Sequence, residues 1–188
     1  MLFRSNVNGG GWLWLLNNDT ISINNQVTIV YSDPDPNFTF KTNCKLIKRS
    51  NELFWGDKFK ACLNHCDSEN LLIIHADCEY NNWLYLVNSY SKAIKEISNL
   101  AVWAPQVNYT FFTSELTSLF LINTSNYEIV CYIDGIVFGI SKLIQNRMKL
   151  ANYENNNFGW CIDRMFASFA LSMNKLLIVD KSINVNHP

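Results

Sequence analysis

The fold is decided by Leu71-Leu72-Ile73-Ile74-His75-Ala76-Asp77-Cys78-Glu79, an apolar run that ends in side chains able to bind metal ions. A short, continuous apolar run of this kind is typical of a strand that is buried on both faces of a sheet. Alternate residues of an extended chain point the same way, so either His75 with Asp77 or Asp77 with Glu79 can face one ion. The competing interpretation is an acidic turn in which Asp77 or Asn81 caps the following helix.

Predicted strands and helices alternate along the rest of the chain. The residue pattern predicts a turn at 9–11 and helices over 12–17, 56–66, 83–97, 140–148 and 160–173. It predicts strands over 2–7, 27–32, 44–48, 71–76, 100–107 and 175–179, and a strand-rich stretch over 127–140. This alternation is typical of an α/β domain with a mainly parallel sheet, which binds ligands at the carboxyl ends of its strands.

Composition excludes several classes of function. The chain has 188 residues, of which 48% are hydrophobic and 16% charged, with a formal net charge of −1. This length predicts one domain with a substantial core. No cluster of Lys and Arg is present, so the sequence lacks the electrostatic footprint of a nucleic-acid-binding protein. Asparagine, at about one residue in seven, replaces much of the missing charge.

The sequence also predicts a cytoplasmic location. Its longest apolar runs are far shorter than the roughly 20 residues that cross a bilayer, so we expect no transmembrane segment. The first residues contain no continuous apolar stretch of the kind found in secretory signals. The six cysteines are scattered without the pattern of a small disulfide-rich domain. We therefore expect free thiols in a reducing compartment.

Two features of the second half of the chain add side chains with useful chemistry. Asp163 lies in the first turn of a predicted helix, where the helix dipole alone favours an acidic residue. The functional alternative is a carboxylate directed into a cleft. His187 lies near the end of the sequence, where an exposed imidazole is the ordinary interpretation and a metal ligand is the alternative.

The order of five segments resembles the GT-A fold of nucleotide-sugar glycosyltransferases. The segment over 56–64, with its Gly56 and Asn64, is similar to the helix that precedes the family's metal-binding strand. The stretch over 75–79 stands in the place of the family's Asp-x-Asp motif. The remaining matches are an acceptor-side strand over 132–139, a Gly-containing turn with a carboxylate over 158–163, and a closing strand over 183–188.

The resemblance implies a fold and a division of labour along the chain. The expected fold is a single α/β domain of GT-A (Rossmann-like) type, with a mixed, mainly parallel sheet flanked by helices. It covers 1–188, with a nucleotide-sugar-binding half over 1–80 and an acceptor and catalytic half over 81–188. A minimal enzyme and one domain fused to others in a longer protein are both compatible with it.

The implied activity is metal-dependent transfer of a hexosyl or deoxyhexosyl group. The donor is a UDP- or GDP-sugar, and the acceptor is a hydroxyl on a glycan or glycoprotein. The implied ligands of Mn²⁺ or Mg²⁺ are Asp77, with Glu79 or His75, and His187, since the closing His of the family often completes the metal shell. Two frames of the Asp-x-Asp motif remain open, His75-Ala76-Asp77 and Asp77-Cys78-Glu79, and Asp77 belongs to both.

Further roles follow from the same resemblance. Asp163 is the expected base that deprotonates the acceptor hydroxyl, and it stands where the family has an acidic pair. Asp134 is expected to position hydroxyls of the acceptor or donor. Asp33, with Asp35 as the alternative, is expected to bind the pyrimidine. Independently of the resemblance, Lys58 or Lys60 is expected to contact phosphate, and a solvent-facing helix residue is the other interpretation of each.

Three other interpretations remain. A nucleotidyltransferase on a related fold would carry a Gly-rich basic loop after its first strand, and Gly9-Gly10-Gly11 with Arg4 nearby is a poor version of that loop. A catalytically silent module that binds glycan or protein would tolerate incomplete acidic motifs. A zinc site at Cys62, His65 and Cys66 lacks a fourth ligand at a suitable spacing, and helix packing explains these cysteines better.

Overall fold

The computed structural model describes residues 2–3, 27–33, 35, 37–38, 42–108, 110, 112–121 and 126–187. The predicted turn at 9–11, the predicted helix over 12–17 and Arg4 lie outside these residues. Of the strand predicted over 2–7, only Leu2–Phe3 is described.

The strands of the described residues form one sheet. They are β1 (Leu2–Phe3), β2 (Thr28–Tyr31), β3 (Lys45–Lys48), β4 (Asn70–His75), β5 (Leu100–Val107), β6 (Ser118–Leu121), β7 (Tyr127–Val130), β8 (Val137–Ser141) and β9 (Leu176–Val185). Their order is β3-β2-β1-β4-β8-β5-β9-β7-β6. Within this set only β7 and β8 run opposite to the other strands. The predicted mixed, mainly parallel sheet is therefore confirmed.

Helices cover this sheet. The described residues contain α1 (Trp55–His65), α2 (Trp83–Glu96), α3 (Ser114–Thr117), α4 (Lys142–Lys149) and α5 (Ile162–Ser172). The predicted positions of α1, α2, α4 and α5 agree with these bounds to within a few residues, whereas α3 and β6 were not predicted. Asn82 caps α2 by accepting a hydrogen bond from the Tyr85 backbone nitrogen at 3.0 Å, so the cap is neither Asp77 nor Asn81.

The core lies on both faces of the sheet. On one face, Phe138 of β8 packs between the helices, with its ring centroid 6.2 Å from that of Phe59 in α1 and 4.8 Å from that of Phe166 in α5. On the other face, Trp103 of β5 packs against Tyr90 of α2 at 5.2 Å. Alternate residues of β4 enter both clusters, which confirms the prediction of a strand buried on its two faces.

This topology brings distant segments to one edge of the sheet. Because β4, β5 and β9 are parallel, their carboxyl ends meet there. The antiparallel strand β8 begins at the same edge, where Val137 pairs with Ile74 and the His75 backbone nitrogen donates to the carbonyl of Ile136 at 3.1 Å. The segment over 131–136 therefore enters the edge that carries the end of β4.

Two further predictions concern the chain as a whole. All six cysteines have free thiols, as expected, and Cys62, Cys66 and Cys78 are buried. Among the described residues, no helix has the length and apolar character needed to traverse a bilayer.

Candidate active site

Three metal-capable side chains converge at the carboxyl end of β4. One ligand atom from each of His75, Asp77 and His187 lies within 4.8 Å of the others, and we call this group the metal cluster. Two backbone hydrogen bonds bring the end of the chain to β4, from Glu79 nitrogen to Asn186 oxygen at 2.8 Å and from Asn186 nitrogen to Glu79 oxygen at 3.0 Å. This pairing brings His187 next to Asp77, although the two are far apart in sequence.

Asp77 and His187 form an ion pair in which each group stabilises the charged form of the other. His187 Nε2 lies 3.5 Å from Asp77 Oδ1. The hydrogen bond from His187 lowers the pKa of Asp77, and the same bond raises the pKa of His187. Asp77 is half exposed, with 49% of its side chain accessible, so a ligand can reach this carboxylate from solvent.

His75 differs from His187 because its ring is enclosed. Burial lowers the pKa of His75 to about 4, and the positive charge of His187 acts in the same direction while Asp77 opposes it. The Trp55 ring packs edge-on against the His75 ring at 4.5 Å between centroids. His75 is therefore neutral at pH 7 and can donate a lone pair to a cation without first losing a proton.

The loop before α5 holds Trp55 in this position. Gly159 adopts φ +74°, a conformation that favours glycine, and a Cβ there would lie 2.3 Å from Trp55 Cδ1. The backbone nitrogen of Gly56 donates to the carbonyl of Asn157 at 2.9 Å, which ties the loop to the first turn of α1. The position of the Trp55 ring against His75 therefore depends on Gly159, which lies in a different segment of the chain.

The donor set of the metal cluster fits a transition-metal ion. Two imidazoles and one carboxylate supply mixed nitrogen and oxygen ligands, whereas Mg²⁺ prefers oxygen alone. Mn²⁺ accepts such a set, so the residues fit Mn²⁺ better than Mg²⁺. Glu79 lies outside the metal cluster, and its Oε2 accepts a hydrogen bond from Asn186 Nδ2 at 3.2 Å. Its role as a metal ligand stays a prediction, and the grouping favours the frame His75-Ala76-Asp77.

Asp163 is held at the start of α5 by two donors. The hydroxyl of Tyr132 donates to Asp163 Oδ2, and the backbone nitrogen of Arg164 donates to Asp163 Oδ1 at 2.8 Å. Burial raises the pKa of Tyr132, and the hydrogen bond and negative charge of Asp163 raise it further, so Tyr132 remains a donor at neutral pH. Tyr132 was not among the predicted site residues, and its position two residues before Asp134 was the only signal for it.

Asp134 connects the metal cluster with Asp163. Burial raises the pKa of Asp134, and the negative charge of Asp163 acts in the same direction. Thr110 Oγ1 donates to Asp134 Oδ2 at 2.9 Å, and both this bond and the charge of His187 oppose the rise. Asp134 thus lies within electrostatic reach of both His187 and Asp163. The two predicted catalytic carboxylates share one site.

A cleft of about 320 Å³ opens beside Asp134. Its walls come from the carboxyl-terminal half of β5 and Asn108, from the segment over 132–134, and from two residues of β9, Val179 and Asn184. Further lining residues are Thr110, Phe112, Thr113 and Thr117. We call it the β5–β9 cleft.

The remaining predicted site residues make local contacts of their own. Asp33 Oδ1 accepts a hydrogen bond from the Asp35 backbone nitrogen at 3.0 Å, and Asp35 Oδ1 accepts one from the Asn37 nitrogen at 2.8 Å, as in ordinary turns after a strand. Lys58 is buried, its Nζ donates to the carbonyl of Leu53 at 2.6 Å, and burial lowers its pKa. The nucleotide-binding roles of Asp33, Asp35 and Lys58 stay predictions.

The structure does not assemble the alternative zinc site. Within the described ranges, Cys62, His65 and Cys66 are not grouped as ligands. Cys62 is buried and its Sγ donates to the carbonyl of Lys58 at 2.9 Å, while Cys66 Sγ lies 3.0 Å from Ser68 Oγ. Burial raises the pKa of Cys62 well above its ordinary value, which disfavours the thiolate that zinc requires.

Comparison with known proteins identifies the fold only. No family model matches the chain, and neither does any curated protein. Among solved structures, GalNAc-T7 with UDP, GalNAc and Mn²⁺ matches with a TM-score of 0.52 and 13% identity, over 85% of this chain and 37% of that one. The protein described here therefore spans well under half of that chain. At this identity the likeness establishes the fold, which is of GT-A type.

Two nucleotidyltransferase structures are less similar. The CMP:2-keto-3-deoxy-manno-octonic acid synthetase complexed with CTP has a TM-score of 0.47 at 10% identity, over 86% of this chain and 73% of that one. The inositol-1-phosphate CTP transferase from T. maritima has a TM-score of 0.49 at 12% identity, over 86% and 69% of the respective chains.

Proposed function

We propose that this protein is a metal-dependent glycosyltransferase that moves a sugar from a UDP- or GDP-sugar to a hydroxyl of a glycan or glycoprotein. One observation supports this most strongly. The metal cluster lies at the carboxyl end of β4, and the segment that carries Asp134 enters the same edge of the sheet, where a Cβ on Gly135 would lie 3.3 Å from Asp163 Cβ. Ligands bind at this edge in α/β sheets of this kind.

The metal cluster suits the diphosphate of the donor. His75, Asp77 and His187 would hold Mn²⁺, which when bound stabilises the negative charge that develops on a leaving diphosphate. His75 contributes a neutral imidazole, and Asp77 is the one carboxylate of the cluster. The single negative charge of Asp77 would leave a divalent cation with a net positive charge for the diphosphate. The hydrogen bond to Asp77 raises the pKa of His187, so His187 would have to release a proton before its Nε2 could bind a metal.

Asp163 is the proposed general base. The bond from the acceptor oxygen to the anomeric carbon forms as the bond from that carbon to the phosphate oxygen breaks. The electron pair leaves with the diphosphate, and the acceptor proton passes to Asp163. The hydrogen bonds from Tyr132 and Arg164 fix the orientation of this carboxylate before the acceptor arrives. Asp134 accepts a hydrogen bond from Thr110 and is placed to orient hydroxyls nearby.

A donor panel tests this function. UDP-glucose, UDP-galactose, UDP-GlcNAc, UDP-GalNAc, GDP-mannose and GDP-fucose are each mixed with the protein and Mn²⁺, and binding is followed by the shift in melting temperature. Release of UDP or GDP from a stabilising donor is then measured with a mixture of glycoside acceptors. We expect at least one donor to bind and turn over. Binding without turnover in any acceptor mixture supports the catalytically silent alternative, and no binding by any donor refutes the proposal.

A further inference from the structure

We propose that the β5–β9 cleft is the acceptor subsite and that it binds one neutral, hydroxyl-rich sugar ring. This inference rests on the proposed function, because an acceptor has meaning only for a transferase. The cleft is separate from the metal cluster, since none of His75, Asp77 and His187 lines it.

The charge of the cleft lining disfavours an anionic occupant. No lysine or arginine is among its described lining residues, and Asp134 is its one carboxylate there. A nucleoside diphosphate bound in it would meet the negative charge of Asp134, and no lysine or arginine of the lining would bind its phosphates. The polar lining is instead neutral, from the amides of Gln106, Asn108 and Asn184 and the hydroxyl of Thr110. Amides and hydroxyls both donate and accept hydrogen bonds, which matches the hydroxyl groups of a sugar.

The cleft also has an aromatic wall. Phe112 and Tyr132 pack edge to face, with ring centroids 4.3 Å apart, and both line the cleft. Aromatic and apolar walls with a few polar groups are typical of small-molecule sites. The volume of about 320 Å³ lies at the small end of such sites, so the cleft suits a single ring better than an extended chain.

The position of the cleft gives it a role in transfer. Tyr132 of the cleft wall donates a hydrogen bond to Asp163, and Gly135, next to Asp134 of the same wall, lies against Asp163, since a Cβ on Gly135 would be 3.3 Å from Asp163 Cβ. Thr110 closes the same wall through its bond to Asp134. A hydroxyl of a ring bound in the cleft therefore lies near the proposed base, Asp163, to which Tyr132 of the cleft wall donates its hydrogen bond.

The test measures sugar binding and nucleotide binding separately. Saturation-transfer NMR is recorded with methyl glycosides of glucose, galactose, mannose and GlcNAc as probes, and calorimetry is recorded with UDP and Mn²⁺. Asn184→Trp fills the cleft, and Gln106→Leu removes one amide while leaving the volume nearly unchanged. Asn146→Trp makes the same change as Asn184→Trp on an exposed residue of α4 and serves as the control. Melting curves of all variants show that they are folded.

We expect at least one methyl glycoside to bind the wild type and Asn146→Trp. Its affinity falls about tenfold or more in Asn184→Trp and by a smaller factor in Gln106→Leu, because a filled site and a lost hydrogen bond differ in cost. UDP with Mn²⁺ binds all of them alike. An equal loss of UDP affinity in Asn184→Trp overturns the inference, since the nucleotide would then occupy the cleft.

The two proposals fail in different ways. Binding of UDP with Mn²⁺ but of no glycoside overturns the acceptor subsite and leaves the transferase standing. Binding of a glycoside that Asn184→Trp abolishes, without any binding of UDP or GDP, refutes the transferase and supports a sugar site in the cleft. Glycoside binding that Asn184→Trp and Gln106→Leu leave unchanged overturns the subsite.

Discussion

Acid should destabilise this protein through His75 in particular. Burial holds the pKa of His75 at about 4 in the folded protein, whereas the ordinary value is 6.5. Between these two values the unfolded chain binds a proton that the folded protein does not. The free energy of unfolding contributed by His75 is therefore present above pH 6.5 and is lost as the pH falls toward 4. Each pH unit within this window changes the free energy of unfolding by about 1.4 kcal/mol. Between pH 7.5 and pH 4, His75 therefore lowers the free energy of unfolding by about 3 kcal/mol.

Neighbouring groups add their own pH dependence to the total free energy of unfolding. The lowered pKa of Asp77 adds a further loss of stability in acid, and the raised pKa of His187 works in the opposite direction. His75→Gln removes the buried imidazole and leaves both neighbours in place. The free energy of unfolding is measured by urea titration at several pH values from 7.5 to 4, with tryptophan fluorescence as the probe. His65→Gln, at the exposed end of α1, is the matched control.

Between pH 7.5 and pH 4, we expect the free energy of unfolding of the wild type and of His65→Gln to fall by about 3 kcal/mol more than that of His75→Gln. A wild type and a His75→Gln variant with parallel pH dependence would show that His75 titrates normally. The ring would then be solvated, and the argument that it offers a neutral ligand from an enclosed site would be wrong.

Gly159→Ala should destabilise the protein by about 2–4 kcal/mol in urea titration, since alanine is strained at φ +74° and its Cβ displaces the Trp55 ring; an unchanged stability would contradict the described loop. Gly139→Ala should cost about 1–3 kcal/mol, because its Cβ would lie 2.3 Å from the Tyr90 ring, and Tyr90→Leu in the same chain should recover part of that loss. Additive effects of these two changes would contradict the contact. Asp163→Asn should keep UDP affinity in calorimetry within about twofold and lower transfer by about 10²–10⁴; unchanged turnover would exclude Asp163 as the base.

Much of the fold follows from local patterns. The apolar run over 71–74 is typical of a buried strand, and the spacing of apolar residues over 83–97 is typical of an amphipathic helix. Accordingly, β4 and α2 agree with their predictions. The stretch over 127–140 was harder, because its β-rich composition hides a break at 131–136. That break separates two strands that are not neighbours in the sheet, and it positions Tyr132 and Asp134.

The sequence was enough to name candidate site residues by type, but not to predict which of them contact one another. Asp77 and His187 could be named because carboxylates and imidazoles are able to bind metal ions and because the resemblance to GT-A enzymes implies a metal site at these positions. Their proximity depends on the pairing of Glu79 with Asn186, which joins remote parts of the chain and has no local signature. The same holds for the bond from Tyr132 to Asp163, since a tyrosine is equally suited to the core. Long-range pairings decide which chemically suitable residues meet.

The coupling of UDP to Mn²⁺ through Asp77 tests the central claim most directly. Calorimetric titration with UDP is carried out in Mn²⁺, in Mg²⁺ and in EDTA, on the wild type, Asp77→Asn and the control Asp67→Asn, an exposed aspartate beyond the opposite end of β4. We predict that UDP binds the wild type and Asp67→Asn at least about tenfold more tightly in Mn²⁺ than in EDTA, a difference of about 1.4 kcal/mol, with a smaller effect of Mg²⁺. Asp77→Asn loses this gain. Equal affinity in Mn²⁺ and EDTA, or a full Mn²⁺ effect in Asp77→Asn, would contradict the account.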